Sequence, residues 1–137
     1  YGSRAKDGVI MITTKSKGAD GVSVTYKDQI ILVGGSNDKS HYSNVYTLNY
    51  KDGKVKMDSL VSLPFPLANM TGALVGNILF IAGGNSNATD SPGKYFLALN
   101  LAEKRDEQHW QTLNPWPGKA RIMGVSAALK NNFFLFA

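Results

Sequence analysis

The run Ile30-Ile31-Leu32-Val33-Gly34-Gly35 returns as Leu79-Phe80-Ile81-Ala82-Gly83-Gly84, and Phe133-Phe134-Leu135-Phe136-Ala137 opens a third copy. An internal repeat constrains architecture before any single residue does, because each unit must bury its apolar surface against its neighbours. Gly34 and Gly83 stand 49 positions apart, a length that suits a unit of four short strands. The copies share inner detail. In each, a tyrosine follows the second glycine by eleven positions and opens an apolar run, Tyr46-Thr47-Leu48 and Tyr95-Phe96-Leu97-Ala98-Leu99. Both copies end in proline-bounded stops, Leu63-Pro64-Phe65-Pro66 and Leu113-Asn114-Pro115-Trp116-Pro117.

The repeated unit reads as strands. Short β-rich runs alternate with clusters of Gly, Asn, Asp, Ser and Pro, and no stretch keeps the three-and-four apolar spacing of a helix over several turns. The first unit is predicted to run over 22–26, 30–33, 45–50 and 54–60, with Lys27-Asp28 and Lys51-Asp52-Gly53 as hairpin turns. The second is predicted over 72–75, 78–82, 95–101 and 109–113, with Gly76-Asn77 as its first turn. Strands that are apolar at consecutive positions are covered on both faces. The glycine pairs that close them permit positive φ and close backbone approach.

The twin glycines, the tyrosine that follows and the late Trp110 resemble the kelch repeat, the unit of kelch β-propellers. The resemblance implies an all-β fold, a partial propeller of two complete four-stranded blades, 21–66 and 67–118, and the start of a third, 119–137. The stretches Pro64-Phe65-Pro66-Leu67-Ala68-Asn69-Met70-Thr71-Gly72-Ala73 and Trp116-Pro117-Gly118-Lys119-Ala120-Arg121 look closest to one branch. They resemble the cyclically permuted mutarotases of the N-acetylneuraminate epimerase family. That likeness implies an isomerase that interconverts the anomers of N-acetylneuraminate by proton transfer, with no cofactor. In the family a glutamate just after a strand-end glycine and an arginine a few residues on are expected to act. Here Ser36-Asn37 and Asn85-Ser86 follow the glycine pairs, so no catalytic residue is carried over and this piece is expected to be inactive.

Two residues are the candidates for substrate binding. Arg121 lies in the connection into the third inner strand, 125–129, where a guanidinium suits the carboxylate of a sialic acid. Asn69 lies in the equivalent connection one repeat earlier and suits a hydroxyl or an N-acetyl group. Bland roles stand beside these: Arg121 pairing with a neighbouring blade, and Asn69 bonding its own turn.

The first residues, 1–20, tell a different story. Tyr1-Gly2-Ser3-Arg4-Ala5-Lys6-Asp7-Gly8-Val9-Ile10-Met11-Ile12-Thr13-Thr14-Lys15 is similar to the end of the plug domain in TonB-dependent outer-membrane receptors, with 15–20 as the seam. A spliced or mis-assembled reading frame is one account of that junction; a plain hairpin turning at Asp7-Gly8 is the other.

Composition narrows the chemistry. The absence of cysteine removes disulfides, thiolate metal sites and cysteine nucleophiles. No apolar run reaches the roughly eighteen residues of a membrane-spanning helix. The net charge of +5 is spread singly over turns and strand ends, which disfavours nucleic acid as a partner. His41 and His109, a whole repeat apart, read as turn and packing residues rather than metal ligands. Asp38, Asp90, Asn85 and Asn87 lie in loops after the glycine pairs but lack the ligand spacing of a calcium loop, so turn chemistry explains them.

Three classes of function remain open: part of a sialate mutarotase from a Gram-negative cell envelope or periplasm, a non-enzymatic kelch interaction module, and a receptor carrying an insertion. Two blades do not close a propeller, which takes at least about four. The isolated chain is therefore expected to be marginally stable and to self-associate through open sheet edges.

Overall fold

The computed structural model describes residues 2–4, 10–12 and 20–136. Every regular element among them is a β-strand, and all pairings are antiparallel. Strands β1 (Gly2–Arg4) and β2 (Ile10–Ile12) form a two-stranded pair. The Asp7-Gly8 turn assigned between them lies outside the described residues.

A first four-stranded meander follows: β3 (Val22–Tyr26), β4 (Gln29–Val33), β5 (Val45–Lys51) and β6 (Lys54–Leu60). The second comprises β7 (Thr71–Val75), β8 (Ile78–Ala82), β9 (Phe96–Asn100) and β10 (Trp110–Thr112). A hairpin of β11 (Val125–Leu129) and β12 (Asn132–Phe136) is the last regular structure among the described residues. Every strand assigned between residues 22 and 129 from the sequence is present, with ends shifted by at most two residues. The β5–β6 loop holds two residues rather than three. Asp52 and Gly53 both take positive φ, 53° and 77°, the signature of a type I′ turn that matches strand twist.

Register assigns each side chain to a face. On the first sheet Val22, Ile31, Val33, Val45 and Thr47 share one face. These residues are buried against Leu79, Ile81, Leu97 and Leu99 of the second sheet. Ile31, Leu79, Ile81, Leu97 and Leu99 are wholly excluded from solvent, each contributing on the order of 1.5–3 kcal/mol. The opposite face of the second sheet carries Phe80 and Phe96, whose rings lie 5.5 and 5.8 Å from that of Phe133 on the hairpin. The layers thus run first sheet, second sheet, hairpin, with β7 packed between β3 and β11.

One expected equivalence fails. Gly34 N–H donates to the Asn44 carbonyl, and Gly83 N–H to the Tyr95 carbonyl, both near 2.9 Å (2.9 and 2.8 Å). Tyr95 therefore matches Asn44, not Tyr46. Tyr46 pairs with Leu32 inside the sheet, where the second copy has Leu97 paired with Ile81. The cause is loop length: residues 85–94 connect the second glycine pair to Tyr95, two more than the 36–43 connection.

Candidate functional site

The polypeptide enters the first strand of each layer through a residue in the left-handed region: Asp20 (φ 66°), Asn69 (φ 59°) and Met123 (φ 53°). Each stands two positions before its strand. The three are joined by backbone hydrogen bonds, Asn69 N–H to the Asp20 carbonyl and Met123 N–H to the Asn69 carbonyl, both 2.8 Å. One row of equivalent residues therefore runs across all three layers at one end of the strands.

The glycine pairs hold this row in place. Gly35 N–H donates to Leu67 O at 2.9 Å, and Gly84 N–H to Arg121 O at 2.8 Å. A Cβ on Gly83 would lie 2.6 Å from Arg121 O, and one on Gly84 2.5 Å from Ala68 O. Backbones come this close only where a side chain is missing, and the positive φ of Gly83 (74°) and Gly84 (94°) adds a second requirement for glycine.

Side chains complete the row. Ser36 Oγ donates to Asp20 Oδ2 at 3.1 Å, and Asn69 Nδ2 donates to Asn85 Oδ1 at 2.9 Å. Both pairs are 16 residues apart, joining the entry residue to the residue just past the twin glycines. Asn85 is buried, and its Nδ2 donates to Asn87 O at 2.9 Å, so its amide is fixed from both sides. The third entry residue, Met123, offers no polar group and is 72 % exposed.

Of the residues singled out in the sequence, Asn69 bonds Asn85 across the sheet rather than its own turn. Arg121 occupies the position of Leu67 in the preceding layer, as their matched bonds to Gly84 and Gly35 show. Leu67 is buried, whereas Arg121 is half-buried. Among the described residues no carboxylate lies within ion-pairing distance of its guanidinium. Gly84 lies against Leu67, Ala68 and Met70 and donates to Arg121 O, so the residues flanking Asn69 and the Arg121 backbone meet at one glycine. Sequence reasoning missed Asp20, Ser36 and Asn85 as members of this row. Their shared 16-residue spacing is the signal that would have found them.

The other candidates serve loops. Asn37 Oδ1 accepts from Lys39 N and Ser40 N, and Asn87 Oδ1 accepts from Thr89 N and Asp90 N, both Asx turns. The Asp90 carboxylate accepts from Ser86 Oγ. His41 joins Ser36 in an isolated bridge, and His109 Nδ1 lies 3.1 Å from Glu107 O. No group of three metal-ligating side chains occurs among the described residues, and no helix among them is long and apolar enough to cross a membrane.

No family model matches the chain, and neither does any curated protein.

Proposed function

We propose that the chain is two blades and the beginning of a third from a kelch β-propeller of the sialic-acid mutarotase kind, and that it supplies sugar-binding rather than proton-transfer groups. The observation that carries this reading is the Asp20–Asn69–Met123 row: equivalent strand entries lie side by side at one end of three successive layers. Loops gathered at one end of a repeated β architecture are a common place for a ligand. The row and its flank carry two groups that a sialic acid would engage. Arg121 offers a guanidinium for its carboxylate, and Asn69 suits a hydroxyl or an N-acetyl group. Ser36 and Asn85 stand where the family pattern expects the acidic residue, and neither is an acid or base of useful pKa.

The test is saturation-transfer NMR of N-acetylneuraminate with the purified chain. Transfer to the sugar that falls on Arg121→Ala, with anomer exchange no faster than in buffer, is the expected result. No transfer at millimolar sugar would overturn the binding reading and favour a non-enzymatic kelch interaction module, which the serine and asparagine at these positions also suit. The likeness of residues 1–15 to a receptor plug supports an envelope location, and it is a separate proposal from the sugar site.

A further inference from the structure

The dipeptide Asp-Gly occurs three times, at 7–8, 20–21 and 52–53. The first lies outside the described residues, and the fold sets the other two in opposite circumstances. An aspartate before glycine is the arrangement in which a side-chain carboxyl reaches the next backbone nitrogen with least hindrance, because the following residue carries no Cβ. In a folded chain that approach also requires the peptide plane between the two residues to turn about the aspartate's Cα–C bond. Any hydrogen bond to that plane, or to the carboxylate itself, resists it.

At Asp52-Gly53 the plane is free. Both residues are exposed at the tip of the type I′ turn between β5 and β6, with Lys51 and Lys54 paired behind them. Among the described residues neither the Asp52 carbonyl nor the Gly53 N–H has a hydrogen-bond partner, and the Asp52 carboxylate has none either. Nothing lies within 4 Å of where a Gly53 Cβ would stand, so the approach to its nitrogen is open. At Asp20-Gly21 the plane is held. The Asp20 carbonyl accepts the Asn69 N–H at 2.8 Å, and its carboxylate accepts from Ser36 Oγ at 3.1 Å. Ser36 is buried, so little water competes for its hydroxyl. A Cβ on Gly21 would fall 2.8 Å from Val33 O, so the surroundings of Gly21 are crowded as those of Gly53 are not.

We propose that Asp52 is a site of spontaneous covalent rearrangement, the conversion of aspartate to its β-linked isomer, and that the Asp20–Asn69 and Asp20–Ser36 bonds protect the same dipeptide at Asp20. The Gly53 nitrogen forms a bond to Asp52 Cγ, and the Cγ–OH bond breaks. The hydroxyl leaves as water with the proton that the nitrogen gives up, closing a five-membered imide. Water then opens the ring at either carbonyl. Attack at Cγ restores the original chain, whereas attack at the former backbone carbonyl leaves the chain running through Cγ with no net change in composition. The β-linkage adds one backbone atom to a turn whose geometry is fixed at two residues, so it opens the Lys51–Lys54 pair at the end of the β5–β6 hairpin. The site lies on a different loop from the Asp20–Asn69–Met123 row and stands independently of the sugar reading.

The experiment incubates the full chain at neutral pH in water enriched in oxygen-18, once folded and once in urea, and follows each aspartate by mass spectrometry of proteolytic peptides. Every opening of the ring leaves one heavy oxygen on the residue, and fragmentation across the Cα–Cβ bond identifies the β-linked product. In the folded chain, label is expected to enter Asp52 at least about tenfold faster than Asp20, the factor set by the two bonds that must break at Asp20 alone. In urea, where those bonds are gone, the two rates should be similar. Ser36→Ala should raise the rate at Asp20 and leave that at Asp52 unchanged. Should circular dichroism show that variant to be unfolded, the comparison of the parent chain folded and in urea decides the point without it. Absence of label and of β-linked product at Asp52 in the folded chain would overturn the proposal. So would a folded-state ratio no greater than the ratio in urea, or a folded Ser36→Ala chain in which Asp20 reacts no faster than in the parent.

Discussion

The Trp110 indole N–H donates to the Val61 carbonyl at 3.0 Å, across 49 positions of the chain. The bond ties the last strand of the second sheet to the segment leaving the first, beside a weaker contact from Arg105 Nη1 to Ser59 O at 3.3 Å. Trp110 also packs on the shared apolar core, so it joins two layers through both polar and apolar contact.

Trp110→Phe keeps most of the ring and removes the donor, leaving a part-buried carbonyl without its partner. The expected loss is about 1 kcal/mol, the net worth of one such bond. Urea unfolding at fixed protein concentration measures it. An unchanged midpoint would mean that water replaces the indole N–H at no cost.

The glycines separate two costs that usually arrive together. Gly34 and Gly53 both have positive φ, 56° and 77°. A Cβ on Gly34 would collide with Leu67 O, whereas nothing lies within 4 Å of one on Gly53. Gly53→Ala should cost about 1 kcal/mol through conformation alone. For Gly34→Ala, where overpacking adds to that strain, roughly 2–4 kcal/mol is expected. Equal midpoints for the two variants would show that the backbone at Leu67 yields freely.

Much of this was legible in the sequence, for identifiable reasons. Gly76-Asn77 and Asp52-Gly53 mark their turns because only certain residues accept the required φ. The repeat of Ile30–Gly35 at Leu79–Gly84 located the central strands, and both belong to four-stranded meanders. The Tyr46–Tyr95 match failed because equal counting from the glycines ignored a loop insertion that hydrogen bonding reveals. Side-chain partnerships were hidden for another reason. Asn69 and Asn85 read as turn formers separately, and only the approach of the 67–69 backbone to Gly84 makes them one unit. Nor does a strand such as β5, apolar on both faces, say which face meets which neighbour.

Thr47 is fully buried on the face of the first sheet that packs against the second, and among the described residues its Oγ1 has no hydrogen-bond partner. A hydroxyl stripped of water without compensation is a net loss. Thr47→Val places a methyl group where the hydroxyl stood and is expected to raise stability by about 1 kcal/mol. A lower urea midpoint for this variant would reveal a water or a rotamer that satisfies the hydroxyl.

The Asn69–Asn85 amide pair invites a double-mutant cycle. Each single change to alanine deprives the other amide of a partner, so the two losses overlap and the double variant should be more stable than their sum predicts. Coupling of about 1 kcal/mol is expected for residues in direct contact. Additive losses would assign the two side chains to separate roles, with Asn85 held by Asn87 O alone.

Met123 is the one entry residue whose type conflicts with its backbone. Asp and Asn are residue types that tolerate the left-handed region, as Asp20 and Asn69 do here, whereas a methionine at φ 53° carries a steric cost. Its side chain is largely in solvent, so replacement disturbs little packing. Met123→Asn should therefore raise stability by about 0.5–1 kcal/mol while keeping the N–H bond to Asn69 O. Met123→Val, branched at Cβ, should lower it, since that shape is least compatible with positive φ. Urea unfolding of the two variants decides the point. If both match the parent chain, residue 123 is not held in the left-handed region, and the row that begins at Asp20 ends at Asn69.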